Sequence, residues 1–187
     1  PGFLYQQNTM RDALVAAVSL NIFNDHCDTV VMANIAQLVN VLQAMVLTEG
    51  DRMLLTPTYH VFEMYKNHQD ACQLESYVET SLTGADEEDR VPGLHISASQ
   101  APDGTVLVTA ANLDDARSAD LDCALAGLGR IEQVTGRVLA GPAGAHNTFD
   151  APENVRPVEM EGIGLTEDGF KAVLPPCCVA AFQVKPA

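Results

Sequence analysis

The stretch VVMANIAQLVNVLQAM, residues 30–45, decides how this sequence of 187 residues is interpreted. It begins with two valines, and such β-branched residues are typical of a strand buried on both faces of a sheet. Three neutral amides, Asn34, Gln37 and Asn40, follow among apolar residues. Because a buried amide is costly unless it is hydrogen-bonded, amides just past a buried strand indicate the polar lining of a ligand pocket.

The residues before this stretch predict a helix that leads into the strand. The helix is expected at residues 8–24, with Asn8 or Thr9 as its cap. Residues 28–34 form the predicted strand. A helix joined by a short turn to an apolar strand is the αβ half of a parallel-sheet unit. The helix prediction depends on apolar side chains that recur every fourth position, at Met10, Leu14, Val18 and Ile22.

The connection from residue 34 to residue 57 is long, and connections of more than about 15 residues are often functional. A tight turn is predicted within it at Glu49, Gly50 and Asp51. A second helix is predicted from Thr56 and Pro57 to about residue 69, because Thr suits the cap and Pro suits the first helical position.

After residue 71 the pattern changes to short alternating segments separated by turns rich in Pro, Gly and Asp. This spacing is typical of an antiparallel β-sandwich or jelly roll. The chain is therefore divided near residue 72, into an incomplete α/β part at 1–71 and a β-sandwich domain at 72–187. The predicted strands are residues 73–80, 93–100, 105–113, 120–126, 130–139, 155–161, 169–174 and 178–184.

The α/β part is too small to be a domain of its own. A parallel strand needs neighbours on both sides, and one strand with two helices cannot supply them. Residues 1–71 are thus predicted to be the end of a larger α/β domain, as the last helix–strand–helix unit of a barrel. Since the sequence begins at Pro1 and not at Met, we also expect a segment upstream of Pro1.

Charge and composition exclude several classes of function. The formal net charge of −15 argues against a nucleic-acid partner, because phosphate binding requires a basic surface. No apolar run approaches the roughly 18 residues of a membrane span. The five cysteines lack a Cys-X-X-Cys pair and fit reduced, intracellular thiols. The five histidines do not fall at ligand spacing with them, so we expect no metal site and no cofactor.

Four segments carry a resemblance to a known family. They are QQNTMRDALVAAVSLNIFNDHCDTVVMANIAQLVNVLQAM (6–45), LTPTYHVFEMYKNHQDA (55–71), GPAGAHNTFDAPENVRP (141–157) and LPPCCVAAFQV (174–184). Together they closely resemble the C-terminal part of glycoside hydrolase family 51, the intracellular α-L-arabinofuranosidases. The resemblance implies the C-terminal end of a (β/α)8 TIM barrel followed by a β-sandwich. It also implies retaining, exo-acting hydrolysis of terminal α-L-arabinofuranosyl residues from oligosaccharides, in a cytoplasmic homo-oligomer that is a hexamer in many members.

The same resemblance places Gln37 at the glutamine that contacts the arabinofuranosyl ring. The chemistry agrees, because a neutral amide can donate to one sugar hydroxyl and accept from another. Asn34 is the second candidate for substrate binding, since barrel enzymes build their active sites at the carboxyl ends of the strands. Asn40 is expected to satisfy backbone groups of the loop.

The catalytic residues are expected elsewhere. Retaining glycosidases need two carboxyl groups about 5 Å apart, and in this family both are glutamates that follow earlier barrel strands. One of them lies in a Glu-Trp pair, and this sequence contains no Trp. Glu49 falls in the predicted turn and Glu63 on the polar side of the second helix. We therefore expect both catalytic glutamates upstream of Pro1 and no hydrolysis by the chain alone.

A second hypothesis is a non-catalytic β-sandwich module that binds carbohydrate or assembles subunits. Carbohydrate-binding sandwiches usually expose Trp or Tyr to stack on sugar rings, and here Tyr77 is the only such residue beyond residue 72. This disfavours the carbohydrate-binding version. The assembly version is compatible with the first hypothesis.

Overall fold

The computed structural model describes residues 8–36 and 38–187, and most of their regular structure is β-strand. The two helices are α1, Met10–Asp25, and α2, Pro57–Tyr65, which continues as a short 3₁₀ helix, Lys66–His68. The strands before residue 93 are β1 Val46–Glu49, β2 Arg52–Leu55, β3 Cys72–Leu74, β4 Leu82–Thr83 and β5 Val91–Pro92. The later strands are β6 Leu94–Gln100, β7 Val106–Asn112, β8 Ala119–Ala124, β9 Ile131–Ala140, β10 Val158–Glu159, β11 Gly164–Leu165, β12 Gly169–Leu174 and β13 Cys178–Pro186.

Helix α1 forms where the four-residue spacing predicted it. Thr9 is its cap, and the Asp12 carboxylate accepts from the backbone N–H of Thr9 at 2.7 Å and from its hydroxyl at 2.8 Å. The first N–H groups of a helix have no carbonyl partner within the helix. Here they bond to a loop before β10: the N–H of Met10 donates to the carbonyl of Ala145, and that of Arg11 to the carbonyl of Ala143. This end of the helix is thus held against residues 143–145.

Two antiparallel sheets account for most of the β structure. One has six strands in the order β10-β9-β13-β7-β6-β3, and the other has three in the order β11-β12-β8. A single hydrophobic core contains residues of both sheets, and in it the rings of Phe170 on β12 and Phe182 on β13 lie 4.8 Å apart. The shared core means that the two sheets bury apolar faces in common.

The opposite face of the six-stranded sheet carries the helices. A second core joins Met10, Ala13 and Ala17 of α1 and Val61 and Met64 of α2 to Ala111, Leu139 and Val179 of the sheet. The period of two along β13 explains how one strand serves both cores. Cys178, Ala180, Phe182 and Val184 belong to the first core, and Val179 belongs to the second.

The tight turn predicted at residues 49–51 is present, with Gly50 in the left-handed region at φ 62°. It joins β1 and β2 into a hairpin in which Glu49 pairs with Arg52, and neither strand was predicted. Helix α2 begins at Pro57 as predicted, and Thr56 accepts a hydrogen bond from the backbone N–H of Tyr59 at 3.4 Å. It ends at Tyr65, about one turn earlier than predicted.

The buried strand predicted at residues 28–34 is absent from the described chain. Residues 26–29 form turns, and residues 30–35 have no regular structure. Val31 is 91% exposed and Met32 is 73% exposed. A strand requires a neighbour that accepts and donates ladder hydrogen bonds, and no described strand runs beside this segment.

Two predicted strands are much shorter than expected. The strand at 73–80 is confined to Cys72–Leu74, and the one at 155–161 to Val158–Glu159. The other six form close to their predicted bounds. The predicted division near residue 72 coincides with the start of β3, the edge strand of the six-stranded sheet. Within the described residues, no helix is long and apolar enough to cross a membrane.

Candidate functional site

The candidate site is the segment that contains the three amides singled out from the sequence and a fourth, Gln43, and we call residues 34–45 the amide loop. It leads from the exposed segment 30–33 to strand β1. Asn34 is exposed at its start, where its amide is accessible to a ligand. Gln37, the main candidate for substrate binding, lies outside the described residues.

Asn40 holds the middle of the amide loop against the hairpin. Its Oδ1 accepts from the backbone N–H of Thr48 at 2.7 Å, and its Nδ2 donates to the Thr48 hydroxyl at 2.8 Å. The Asn40 amide therefore satisfies both the backbone N–H and the side-chain hydroxyl of Thr48 on β1. The expectation that Asn40 satisfies loop backbone groups is confirmed.

Backbone hydrogen bonds reinforce this attachment. The carbonyl of Leu38 accepts from the N–H groups of Met45 and Val46, at 3.1 and 3.0 Å. The N–H of Asn40 donates to the carbonyl of Val46 at 3.1 Å. The part of the loop that follows Gln37 is thus folded back on itself at the start of β1.

The end of the amide loop is attached to both helices. Gln43 Nε2 donates to Asp12 Oδ1 of α1 at 3.3 Å, and the hydroxyl of Thr56, the cap of α2, donates to the carbonyl of Ala44 at 2.9 Å. Ala44 is fully buried. Burial raises the pKa of Asp12, but the hydrogen bonds from Thr9 and Gln43 and the charge of Arg11 lower it overall. The Asp12 side chain is thus held as a carboxylate that accepts hydrogen bonds from both Thr9 and Gln43.

The sequence did not reveal the roles of Gln43 and Thr48. Both are polar residues of ordinary type in a connection, and no periodicity or motif distinguishes them. The backbone of Gln43 is left-handed, at φ 59°, which is uncommon for a residue other than Gly and is not visible in the sequence.

The two glutamates nearest to this region are held in ion pairs. Glu49 pairs with Arg52, and Glu63 pairs with Arg137 at 2.9 Å and with Lys66 at 3.3 Å. Burial raises the pKa of Glu63, but the Arg137 hydrogen bond and charge, with Lys66, lower it overall. A general acid of a glycosidase needs a raised pKa, so Glu63 is unsuited to that role.

An apolar cleft of about 720 Å³ opens elsewhere, between the two sheets. Its walls include Leu94, Ile96, Val106, Val108 and Leu121, with Tyr77 among the polar and aromatic residues that also line it. No described residue of the amide loop lines this cleft.

Among residues 8–36 and 38–187, no group of three His, Cys, Asp or Glu side chains is arranged to hold a metal ion. The described polar side chains of the amide loop are the neutral amides of Asn34, Asn40 and Gln43, which can bind and orient polar ligands.

A family profile and two curated relatives identify one family. The sequence profile of the alpha-L-arabinofuranosidase C-terminal domain matches residues 1–178. An intracellular exo-alpha-L-arabinofuranosidase from Bacteroides ovatus is 36% identical over 185 residues, which cover 98% of this chain and 36% of that protein. An intracellular exo-alpha-(1->5)-L-arabinofuranosidase from Streptomyces lividans is 28% identical over 177 residues, which cover 94% of this chain and 27% of that protein.

A solved structure supports the same relationship. The family 51 arabinofuranosidase from Xanthomonas axonopodis pv. citri superposes with a TM-score of 0.88 at 42% identity, covering 99% of this chain and 37% of that one. The chain thus spans about a third of the length of the relatives that it matches. These findings confirm the resemblance predicted from the sequence: the chain belongs to the alpha-L-arabinofuranosidase C-terminal domain family.

Proposed function

We propose that this chain is the C-terminal portion of a retaining, exo-acting α-L-arabinofuranosidase of glycoside hydrolase family 51. The observation that carries the proposal is the match over nearly the whole chain to exo-arabinofuranosidases about three times as long. The substrate class is an oligosaccharide with terminal, non-reducing α-L-arabinofuranosyl residues. The two catalytic glutamates are proposed to lie in the part of the enzyme that this chain does not include.

The proposal assigns residues 1–71 to the last helix–strand–helix unit of a (β/α)8 barrel. The exposure of Val31 and Met32 supports it, because an apolar segment with this much accessible surface suits burial beside neighbouring strands. Leu38, which is 57% exposed, extends the same apolar surface. Residues 72–187 are proposed to form the β-sandwich, and the core shared by the two sheets supports that assignment.

Within this enzyme Gln37 is proposed to bind the arabinofuranosyl ring, with Asn34 as a second contact. The attachment of the amide loop to β1 and to both helices supports a binding role, because a sugar contact is effective only when its backbone is held in place. A neutral amide that bonds to a sugar hydroxyl more strongly in the transition state raises turnover. The enzyme is further proposed to be a cytoplasmic homo-oligomer, a hexamer as in many family members.

The test is an assay of the full-length protein on an aryl α-L-arabinofuranoside. The Gln37→Ala variant is expected to lose about 100-fold or more in kcat/KM, because it removes a positioning contact of the reacting sugar. Gln69→Ala, which changes an exposed glutamine beyond the 3₁₀ helix, is the matched control and should retain full activity. Wild-type activity in the Gln37 variant would remove that residue from the site. A wild-type protein without activity on any arabinofuranoside would contradict the proposed function itself.

A further inference from the structure

The amide loop contains two residues with unusual backbone conformations. Asn40 has φ 57° and Gln43 has φ 59°, so both lie in the left-handed region that residues other than Gly rarely adopt. Such conformations persist where surrounding contacts over-determine them, and they cluster at ligand-binding and active sites. Asn adopts this region more readily than other residues with a side chain, so it is Gln43 in particular that is held there by more than its own sequence preference.

The contacts that hold these two residues lead to different elements. Asn40 is held by both the N–H and the hydroxyl of Thr48 on β1, and Gln43 by the Asp12 carboxylate at the start of α1. The side chains of Asn40 and Gln43 therefore attach the amide loop to β1 and to α1, respectively. The contact of Asn40 is the more specific, because its acceptor and its donor are both used and the amide can take only one orientation.

The attachment of Asn40 lies close in sequence to the proposed sugar contact. Leu38 directly follows Gln37, and its carbonyl is fixed by two N–H groups, of Met45 and Val46. Asn40 binds to the carbonyl of Val46 with its backbone and to Thr48 with its side chain. The chain from residue 38 to residue 40 is therefore aligned along β1.

We propose that Asn40, held by Thr48, is a positioning residue for the arabinofuranosyl subsite: it holds residues 38–40, which directly follow Gln37 in the sequence, against strand β1. This inference rests on the proposed function. It assigns a role in turnover to a residue that need not touch the substrate.

The exposure of the two residues separates this role from a role in stability. Within the described chain Asn40 and Thr48 are both exposed, so the loss of their contact leaves no cavity there and no buried group of this chain without a partner. Substitutions at such surface positions change the stability of a protein little. Catalysis is more sensitive, because a small misplacement of a group that orients the substrate lowers the rate strongly.

The experiment uses the full-length protein and the Asn40→Gly variant. Gly accepts φ 57° without steric cost, so this change removes the amide while the backbone conformation stays accessible. We expect kcat to fall about tenfold or more, with a smaller change in KM and a melting temperature within about 2 °C of wild type. Asn40→Asp keeps the acceptor for the Thr48 N–H, and the Thr48 hydroxyl can rotate to donate to the second carboxylate oxygen, so this variant should retain most of the activity.

Two further variants complete the test. Thr48→Val removes the hydroxyl that Asn40 binds, and its effect should not add to that of Asn40→Gly in the double variant. Asn67→Gly makes the same change at an exposed asparagine of the 3₁₀ helix and should leave kcat unchanged.

The possible outcomes distinguish the inference about Asn40 from the proposed function. Unchanged kcat in Asn40→Gly, in a protein where Gln37→Ala is impaired, would overturn this inference and leave the proposed function standing. A lower melting temperature that accounts for the lost activity would also overturn it, since the role would then be structural. A wild-type protein that is inactive on arabinofuranosides would overturn the proposed function and this inference together.

Discussion

His68 donates a hydrogen bond from its Nε2 to the hydroxyl of Thr109, with 3.0 Å between the two atoms. His68 lies at the end of the 3₁₀ helix and Thr109 in the middle of strand β7, so the bond joins the helical layer to the six-stranded sheet. Its direction follows from the neighbours of Thr109. The one proton of the Thr109 hydroxyl has acceptors in Asn21 Oδ1 at 2.9 Å and the Ser97 carbonyl at 3.4 Å, so this hydroxyl accepts from His68.

The other ring nitrogen of His68 must then be an acceptor. Nδ1 lies 2.7 Å from the hydroxyl of Ser99 on β6, which donates to it. Asn21 Nδ2 in turn donates to the carbonyl of His95 at 3.2 Å, which fixes the orientation of that amide. The network uses the neutral form of His68, and burial lowers the pKa of His68 to about 4.

This network predicts a loss of stability in mild acid. The unfolded chain protonates His68 below a pKa of about 6.5, and the folded protein does so only near 4. Stability is therefore unaffected above pH 6.5 and falls as the pH drops from 6.5 towards 4, because only the unfolded state gains the proton. The full effect is on the order of 3 kcal/mol, at about 1.4 kcal/mol for each pKa unit. Urea unfolding between pH 7.5 and 4 measures it.

A non-titrating variant isolates the contribution of His68. His68→Gln should be less stable than wild type at pH 7.5 and should lose less stability between pH 6.5 and 4. His26→Gln, which changes an exposed histidine at the end of α1, should follow the wild-type pH dependence. Identical pH dependence of the His68 variant and the wild type would contradict the assignment of a neutral, buried imidazole.

Substitutions of Thr56 and Thr58 are predicted to differ in their effect on stability, although both residues are only 1% exposed. The Thr56 hydroxyl donates to Ala44 and accepts from the N–H of Tyr59, whereas that of Thr58 has no partner among the described residues. Thr56→Val should cost about 1–2 kcal/mol, since it removes a cap and leaves a buried carbonyl unpaired. Thr58→Val should change stability by less than about 0.5 kcal/mol, or increase it. Comparable losses in the two variants in denaturant unfolding would refute the difference.

Gly136 of β9 is predicted to be required by its packing. A Cβ at this position would lie 2.8 Å from Cδ1 of Ile163 and 3.0 Å from Cδ1 of Phe182, which is fully buried. Gly136→Ala is therefore expected to destabilise the protein by about 1–3 kcal/mol through overpacking. Gly144→Ala is the matched control, because a Cβ there meets no atom within 4 Å. Thermal unfolding of the pair tests the prediction, and equal melting temperatures would reject it.

The five cysteines are predicted to fall into two classes of reactivity. Cys27 and Cys72 are exposed, and Cys177 and Cys178 are buried. Burial raises the pKa of the Cys123 thiol to about 11 and that of Cys178 to about 12, and it also raises the pKa of Cys177. A thiol-disulfide reagent at pH 8 should thus modify two thiols rapidly in the native protein and all five after denaturation. Rapid modification of more than two native thiols would contradict this burial pattern.

The helices and the long strands were predictable because their signals are local. Helix α1 repeats apolar residues every fourth position, and strands β7 and β13 are apolar runs bounded by Pro, Gly and Asp. The hairpin of β1 and β2 was missed, because two four-residue strands give too few alternations to distinguish them from a loop. The strand predicted at 28–34 does not form in the described chain, because composition indicates what a segment would bury but cannot supply the strands beside it.

By itself, the sequence determined the family, the mostly antiparallel β character and the amides that stand as binding candidates, because each of these depends on residue type and local spacing. Only the tertiary structure revealed how distant residues meet. The hydroxyl of Thr109 reaches Asn21 across 88 positions of the chain, and Gln43 reaches Asp12 across 31. Such contacts depend on how sheets and helices pack, and on backbone conformations such as φ 59° at Gln43, which the surroundings impose and the residue alone does not favour.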